Sequence, residues 1–269
     1  MIGLWSATLG VTRYEAVMAV RRKVLWLSLG PLAVLAALLA VTSPTVIGQD
    51  DPVARIGTAT LAINLCYTAG IGVALTDRLV QQYRAGLADL LNATPGGQAA
   101  CLVGALLGPL GVAVVPAAVL LVLLGVVLGI GHGSPAPVGA AVVGLAAVLM
   151  PAALVITTLA TLLGLVLPQT VARVVVVVLW FWSTALSPSL FPGVPTPTGT
   201  VLSPLGGYLA VAALHVDPSW ANRGTSSTLR PIAGFATATI SVALLLGLAI
   251  LFFGAARVVA ARRVSKEFR

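Results

Sequence analysis

The sequence predicts an all-α integral membrane protein with six transmembrane helices. Of its 269 residues, 59% are hydrophobic and 8% are charged, so the polar residues are too few to cover a water-soluble core. Six uncharged runs approach the length of about 20 apolar residues that a helix needs to cross a bilayer. The basic residues cluster at the ends of these runs, where they can meet lipid phosphates.

The net charge of +8 does not predict a nucleic-acid partner, because the basic residues flank apolar runs and so suit a lipid surface. No metal site is expected either. Cys66 and Cys101 lie in or beside apolar segments and lack His or Cys residues at metal-ligand spacing. We expect two buried free thiols and no disulfide framework.

Residues 1–23 are predicted to form an amphipathic elbow helix that lies in the membrane plane. Trp5 is an aromatic anchor, and Arg21, Arg22 and Lys23 end the segment with positive charge. The alternative is a disordered basic tail. The recurring apolar residues argue against it; they are Leu4, Leu9, Val17 and Val20. No small-residue cleavage site ends the next apolar run, so a cleaved signal peptide is not expected.

Residues 24–269 are predicted to form the six-helix domain, with spans at 24–41, 56–76, 99–130, 137–167, 174–191 and 232–256. The third and fourth spans are longer than a perpendicular helix requires. They contain Pro109, Pro116 and Pro151, so we expect them to tilt or kink.

The positions of Lys and Arg orient the spans. If the N-terminus is cytoplasmic, all but three of the 15 basic residues lie on the cytoplasmic side. The three exceptions are Arg55, Arg223 and Arg230. We therefore expect a multi-pass protein of the cell (plasma) membrane with both termini in the cytoplasm.

In this orientation residues 192–231 lie on the outer side. They contain the apolar patch LSPLGGYLAVAALHV, which is too short to cross a bilayer as a helix. We expect a re-entrant or interfacial helix here. The alternative is a surface loop that packs on the helix bundle.

A charged segment, DRLVQQYRAGLADLLNATP, separates the second and third spans. Its apolar residues recur at helical spacing and predict an amphipathic helix over residues 77–92 on the cytoplasmic side. Asp77 suits the start of this helix, and Pro95 with the two following glycines ends it. The helix can lie on the membrane, or it can press its apolar stripe into a groove on a cytoplasmic partner.

No Asp, Glu, Lys, Arg or His lies between the ends of any predicted span. This disfavours a proton- or ion-driven carrier, which needs ionisable or carbonyl-lined sites near the midplane, and also an intramembrane enzyme. The only lysines, Lys23 and Lys266, are not part of a G-x-x-x-x-G-K-[ST] motif. We do not expect an enzyme, and energy for transport would have to come from a separate subunit.

The layout resembles that of the ABC type-2 exporter permeases. The cytoplasmic stretch RAGLADLLNATP is similar to a recurring pattern of that family, matched by Arg84, Gly86, Asp89, Leu90, Leu91 and Pro95. The outer stretch SPLGGYLAVAAL is similar to the Pro-led segment that precedes the last span.

The resemblance implies a permease subunit that pairs with a second copy, as a homo- or heterodimer, and exports its substrate. Each permease would dock on an ABC ATP-binding subunit that holds ATP and Mg²⁺, with no cofactor in this chain. The segment at 77–92 would then be the coupling helix, and its ATPase-coupling residues would be Arg78, Gln82, Tyr83, Arg84, Leu87 and Asp89.

An uncharged interior suits an apolar or amphiphilic substrate such as a small molecule, lipid or peptide. The candidate path residues are the polar and aromatic ones within spans, namely Asn64, Tyr67, Thr68, Trp180, Trp182, Ser183 and Thr184. The alternative role for each is packing between helices. Two other functions stay open: a non-transporting membrane assembly protein that recruits a cytoplasmic partner, and a passive channel, for which no ring of polar residues is evident.

Overall fold

A computed structural model describes residues 2–77, 97–186, 195–221 and 227–267. Within these ranges the chain is helical and has no β-strand. The helices are α1 (Ile2–Arg21), α2 (Lys23–Thr42), α3 (Pro44–Ile47), α4 (Pro52–Leu75), α5 (Gly97–His132), α6 (Ala136–Val143), α7 (Met150–Val166), α8 (Gln169–Thr184), α9 (Gly207–Leu214) and α10 (Phe235–Glu267). A π-helical turn, Gly144–Leu149, joins α6 to α7, and a short 3-10 helix, Pro218–Trp220, follows α9.

Among the described residues, five helical stretches are long and apolar enough to cross a membrane: Leu25–Thr42, Pro52–Leu75, Cys101–His132, Ala136–Val166 and Phe235–Arg262. The prediction of an all-helical chain is confirmed for the described residues, and the five apolar helices suggest a multi-pass membrane protein. The predicted continuous span at 174–191 is not found as such. Its helix, α8, begins at Gln169 and ends at Thr184, and residues 187–194 lie outside the described ranges.

Helix α4 is the centre of the bundle, and α2, α5, α7 and α8 all pack against it. Small residues allow this close approach. A Cβ atom added at Gly72 would stand 2.5 Å from Ile156 Cγ1 in α7 and 2.8 Å from Val176 Cγ1 in α8. Glycine at such positions lets transmembrane helices approach backbone to backbone.

We name the two ends of the bundle after the residues that flank α4: the Asp51 end, where α4 begins, and the Asp77 end, where it stops. Helix α7 runs alongside α4 in the same direction, because Gly144 just before it contacts Thr60 and Gly164 near its end contacts the backbone of Thr76. The long helix α10 packs its Ala256 and Ala260 near the start of α5, at the Asp77 end.

Helix α1 lies along the first turns of α5. Gly104 and Gly108 of α5 form a G-x-x-x-G pair, and Cβ atoms there would stand 2.5 Å from Val11 Cγ1 and 2.6 Å from the Thr12 carbonyl oxygen. The opposite face of α1 carries exposed apolar side chains, including Leu9 and Tyr14. Residues 2–21 form the predicted helix. This helix packs against the small residues of α5, Gly104 and Gly108.

Of the three prolines predicted to distort the long spans, one follows a π-helical turn and two lie within a continuous helix. Pro151 follows the π-helical turn, in which the Met150 N–H donates to the Leu145 carbonyl, five residues back. Such a turn accommodates a proline, which cannot donate and crowds the preceding turn. Pro109 and Pro116 lie within α5, which stays helical across all 36 residues.

Helices α8 and α9 lie along successive halves of α4. In α8, Gln169 contacts Asp77 and Trp180 contacts the Leu65 carbonyl, halfway along α4. The backbone just before α9 contacts Asn64, and the residues at its end contact Gly57. Asn64 and Gly57 are seven residues apart, about 10.5 Å along a helix axis, which matches the seven steps from Gly207 to Leu214.

Candidate functional site

The six residues predicted to couple to an ATPase lie outside the described ranges, which omit residues 78–96. They are Arg78, Gln82, Tyr83, Arg84, Leu87 and Asp89, and their role stays a prediction. Asp77, the last described residue before this segment, marks where the segment leaves the bundle.

Asp77 is held by the first two turns of α8. Its Oδ2 atom accepts a hydrogen bond from Gln169 Nε2 at 2.8 Å and is 3.4 Å from Arg173 Nη2. Gln169 and Arg173 are four residues apart and therefore share one face of the helix. The Asp77 side chain is 15% exposed, so this polar cluster is partly shielded from solvent.

The backbone next to Asp77 is fixed from a second direction. The Thr76 carbonyl lies so close to Gly164 of α7 that a side chain at that position would clash with it. The Thr76 hydroxyl donates to the Gly72 carbonyl at 2.7 Å. Thr76 and Asp77 are therefore held against both α7 and α8.

Asn64 joins α4 to the outer segment, by which we mean residues 195–221. Its Nδ2 atom donates to the carbonyl oxygens of Pro204 at 3.1 Å and Leu205 at 3.0 Å, while its Oδ1 accepts from the Thr68 hydroxyl at 2.7 Å. Asn64 is twelve residues after Pro52, about 18 Å along α4. The outer segment thus reaches the middle of this helix.

The other predicted path residues are also engaged within the chain. The Tyr67 hydroxyl donates to the Ala113 carbonyl of α5, and Trp180 Nε1 donates to the Leu65 carbonyl, both at 2.8 Å. Ser183 and Thr184 bond the Trp180 carbonyl of their own helix. Tyr67, Thr68, Trp180 and Thr184 are buried, Ser183 is half-buried and Trp182 is exposed. Within a single chain these contacts are packing contacts, and a role in a substrate path stays a prediction.

Helix α9 ends in a polar contact at the Asp51 end. The His215 Nδ1 atom lies 3.0 Å from Asp51 Oδ2, and Asp51 also caps α4 by accepting from the Val53 N–H. Burial raises the pKa of the Asp51 carboxyl, but the hydrogen bonds from His215 and Val53 outweigh it and lower that pKa below its usual value. His215 adopts a left-handed backbone conformation with φ 55°, which stops the helix.

Hydroxyl groups attach the outer segment to two more helices. The hydroxyls of Thr198 and Ser203 donate to carbonyls near the end of α8. Ser241 of α10 donates to the Val201 carbonyl at 2.8 Å. The sequence analysis did not identify these residues. For Thr198, the sequence contains one usable signal, the run TPTGT at residues 196–200. Its hydroxyls supply hydrogen-bond donors where proline removes backbone N–H groups.

A cavity of about 400 Å³ lies between the last turn of α8 and the outer segment. Trp182 and Leu202 form two of its walls, and Leu229 and Arg230 form another. The described residues bound the cavity mainly with carbon atoms, and their lining includes the cationic side chain of Arg230.

Three of the residues predicted to anchor the chain at the membrane lie at the junction of α1 and α2, whereas Trp5 lies near the start of α1. Arg21 and Lys23 are exposed and Arg22 is half-buried, while the side chain of Trp5 lies outside what the structure describes. Cys66 and Cys101 are free thiols; Cys101 is buried as expected, whereas Cys66 is half-buried. In the described part of the chain, no three His, Cys, Asp or Glu side chains are grouped to hold a metal ion.

Comparisons with protein-family models, curated proteins and solved structures give no match to this chain.

Proposed function

We propose that the chain is the transmembrane permease subunit of an ATP-driven ABC exporter of the type-2 class. It moves an apolar or amphiphilic small molecule, lipid or peptide out of the cell and draws its energy from a separate ATP-binding subunit. The observation that carries this proposal is the course of the outer segment, which penetrates to Asn64 in the middle of α4 and leaves at the Asp51 end.

In this proposal the chain crosses the bilayer six times. Five crossings are the long apolar helices, and the remaining one is made by α8 followed by α9. Helix α8 has 16 residues, about 24 Å, which is shorter than a hydrocarbon core of about 30 Å. Because α9 continues along the other half of α4, the two helices together match the length of a full crossing. Broken helices of this kind occur where transporters bind or gate their substrates.

The Asp77 end is then cytoplasmic, and α1 is the interfacial elbow helix. Supporting this, the junction of α1 and α2 and the end of α10 bring basic residues to the same end of the bundle. The exposed apolar face of α1 suits contact with acyl chains. In this arrangement residues 195–206 and α9 fill the outer half of the crossing that begins with α8, in place of a separate segment that enters and leaves on the outer side.

The coupling segment at 77–92 docks on the ATP-binding subunit and passes its movement to the bundle. The polar cluster of Asp77, Gln169 and Arg173 supports this role, because it ties the start of that segment to α8. The end of α8 is in turn bonded to the outer segment through Ser203. A movement at the ATPase therefore has a continuous mechanical route to the opposite side of the bundle.

Co-purification tests the docking step. A tagged copy of the chain is co-expressed with the ABC ATP-binding subunit encoded beside it and is purified in a mild detergent. We expect stoichiometric recovery of that subunit. The Leu87→Asp variant places a charge in the apolar stripe and should abolish recovery, and Arg84→Glu combined with Asp89→Arg should reduce it.

The matched control is Arg257→Gln, which removes an exposed positive charge at the Asp77 end without altering residues 77–92. It should leave recovery unchanged. If the wild-type chain recovers no ATP-binding subunit in several detergents and in nanodiscs, the exporter proposal fails. The chain would then be better explained as a non-transporting assembly protein.

A further inference from the structure

We propose that the cavity between α8 and the outer segment binds an anionic amphiphile, with its apolar chain against Trp182, Leu202 and Leu229 and its head group at Arg230. This inference deepens the proposed function, on which it rests, by naming the charge class of the substrate. It concerns residues that the sequence analysis did not assign to any path, apart from Trp182.

The position of the cavity supports a ligand site. Its wall includes residues 195–202, a stretch without helix located beside the last turn of α8. At the depth of the hydrocarbon core, non-helical backbone is tolerated only where it is buried in protein or lines a cavity. The non-helical stretch between α8 and α9 meets this condition beside the cavity, which is where transporters place ligand sites.

The polar atoms of the wall are already satisfied by the protein itself. Trp182 Nε1 donates to the Pro195 carbonyl at 3.1 Å, and the Thr196 hydroxyl donates to the Leu186 carbonyl at 2.8 Å. The Thr200 hydroxyl donates to the Pro197 carbonyl at 2.6 Å and accepts from the Leu202 N–H. These walls therefore present mostly carbon to a ligand, which suits an acyl chain.

The exposed apolar side chains converge on the same space. Trp182 and Leu202 are each 37% exposed and Leu229 is 52% exposed, although each lines the cavity. An apolar ligand would cover all three at once and remove their surface from water or lipid head groups. A volume of about 400 Å³ is within the range of small-molecule sites.

Arg230 sets the charge of the ligand. It is half-buried, its backbone is fixed by a turn with Ser227, and it brings a positive charge to the lining of the cavity. Among the described residues no acidic side chain lines the cavity, so a cationic head group would be repelled and a phosphate or carboxylate attracted.

Binding to the purified chain in nanodiscs of neutral phosphatidylcholine tests the inference. The signal is tryptophan fluorescence, compared with that of a Trp182→Phe variant and of empty discs. Dodecyl phosphate should bind saturably and at least tenfold more tightly than dodecyltrimethylammonium, which has the same chain and the opposite charge. Inorganic phosphate alone should not saturate the signal, since the chain contributes to binding.

Arg230→Gln should weaken dodecyl phosphate binding about tenfold, Arg230→Lys should retain most of it, and Arg257→Gln should have no effect. Retention of phosphatidylglycerol by the wild type but not by Arg230→Gln, counted by native mass spectrometry, would identify a membrane lipid as the occupant. Its absence beside tight dodecyl phosphate binding would identify a soluble amphiphile.

Equal affinity for the two dodecyl compounds, or undiminished dodecyl phosphate binding by Arg230→Gln, would overturn the inference. The measurement uses the chain alone, without an ATP-binding subunit. Its failure is therefore distinguishable from failure of the proposed function, which is judged by co-purification.

Discussion

At the scale of single residues, polar side chains in the bundle connect segments that are far apart in sequence. Asn64 is the strongest example, because its amide bonds two carbonyls 140 and 141 residues away while fully buried. Most of the buried threonines do something more local. Thr157, for instance, donates only to Ala153 in its own helix. The two kinds of contact should differ in what they contribute to stability.

Replacing Asn64 with leucine should destabilise the protein by about 1–2 kcal/mol, the range found for hydrogen bonds between transmembrane helices in model peptides. The variant leaves the Pro204 and Leu205 carbonyls without their donor and Thr68 without its acceptor. Stability is measured on heating, by reaction of the two free thiols with a maleimide dye. The control Thr157→Val should change the unfolding temperature little, and an equally small change in Asn64→Leu would contradict the assigned role.

At the scale of secondary-structure elements, glycine spacing decides which helices touch. Gly104 and Gly108 allow α1 to lie on α5 at backbone distance, whereas a Cβ added at Gly111 would meet no atom within 4 Å. The sequence contains all three glycines within one apolar run. Their spacing is compatible with close packing, but it does not say which helix will be the partner.

Gly108→Ala should loosen α1 from α5, because the new Cβ would stand 2.6 Å from the Thr12 carbonyl oxygen and 2.8 Å from Glu15 Cβ. Overpacking of this kind costs about 1–3 kcal/mol. Cys101, buried at the start of α5, should then react severalfold faster with a maleimide in a Cys66→Ala background.

The matched control is Gly111→Ala, which has room for its methyl group and gains helix propensity. Its Cys101 should react at the rate of the parent protein. Identical rates in both glycine variants would show that the contact between α1 and α5 does not depend on Gly108.

Sequence patterns predicted the long helices well, because an apolar run of sufficient length has few alternatives in lipid. They misplaced the bounds of α8. The run 174–191 is uncharged, and the length of that run alone does not mark a helix end at Thr184, although Ser183, Thr184 and Pro188 interrupt its apolar character. That end depends on hydrogen bonds from Thr198 and Ser203, which lie farther along the chain. The polar path candidates were identifiable by type, but their partners are set by tertiary packing.

At the scale of the whole molecule, the proposed exporter topology requires that α8 and α9 together carry the chain across the bilayer. The residues immediately before α8 then lie on the cytoplasmic side, and the residues immediately after α9 lie outside. If α8 and the outer segment instead entered and returned on one side, the 3-10 helix at Pro218–Trp220 would lie on the side of the N-terminus.

Labelling of single cysteines in a background without Cys66 and Cys101 distinguishes these topologies. An impermeant maleimide should label Ser134→Cys and Ser219→Cys in intact cells. Ser6→Cys should react only after the membrane is permeabilised. Labelling of Ser219→Cys only after permeabilisation would contradict a crossing made by α8 and α9, while Ser134→Cys would remain the reference for the outer side.

ATP hydrolysis by the ABC ATP-binding subunit in nanodiscs, measured with and without this chain, tests the proposed exporter function. If the 77–92 segment couples the two subunits, the wild-type chain should change the hydrolysis rate severalfold and Leu87→Asp should remove the effect. An unchanged rate, with both proteins demonstrably in the same disc, would contradict the assignment of the chain as an exporter permease.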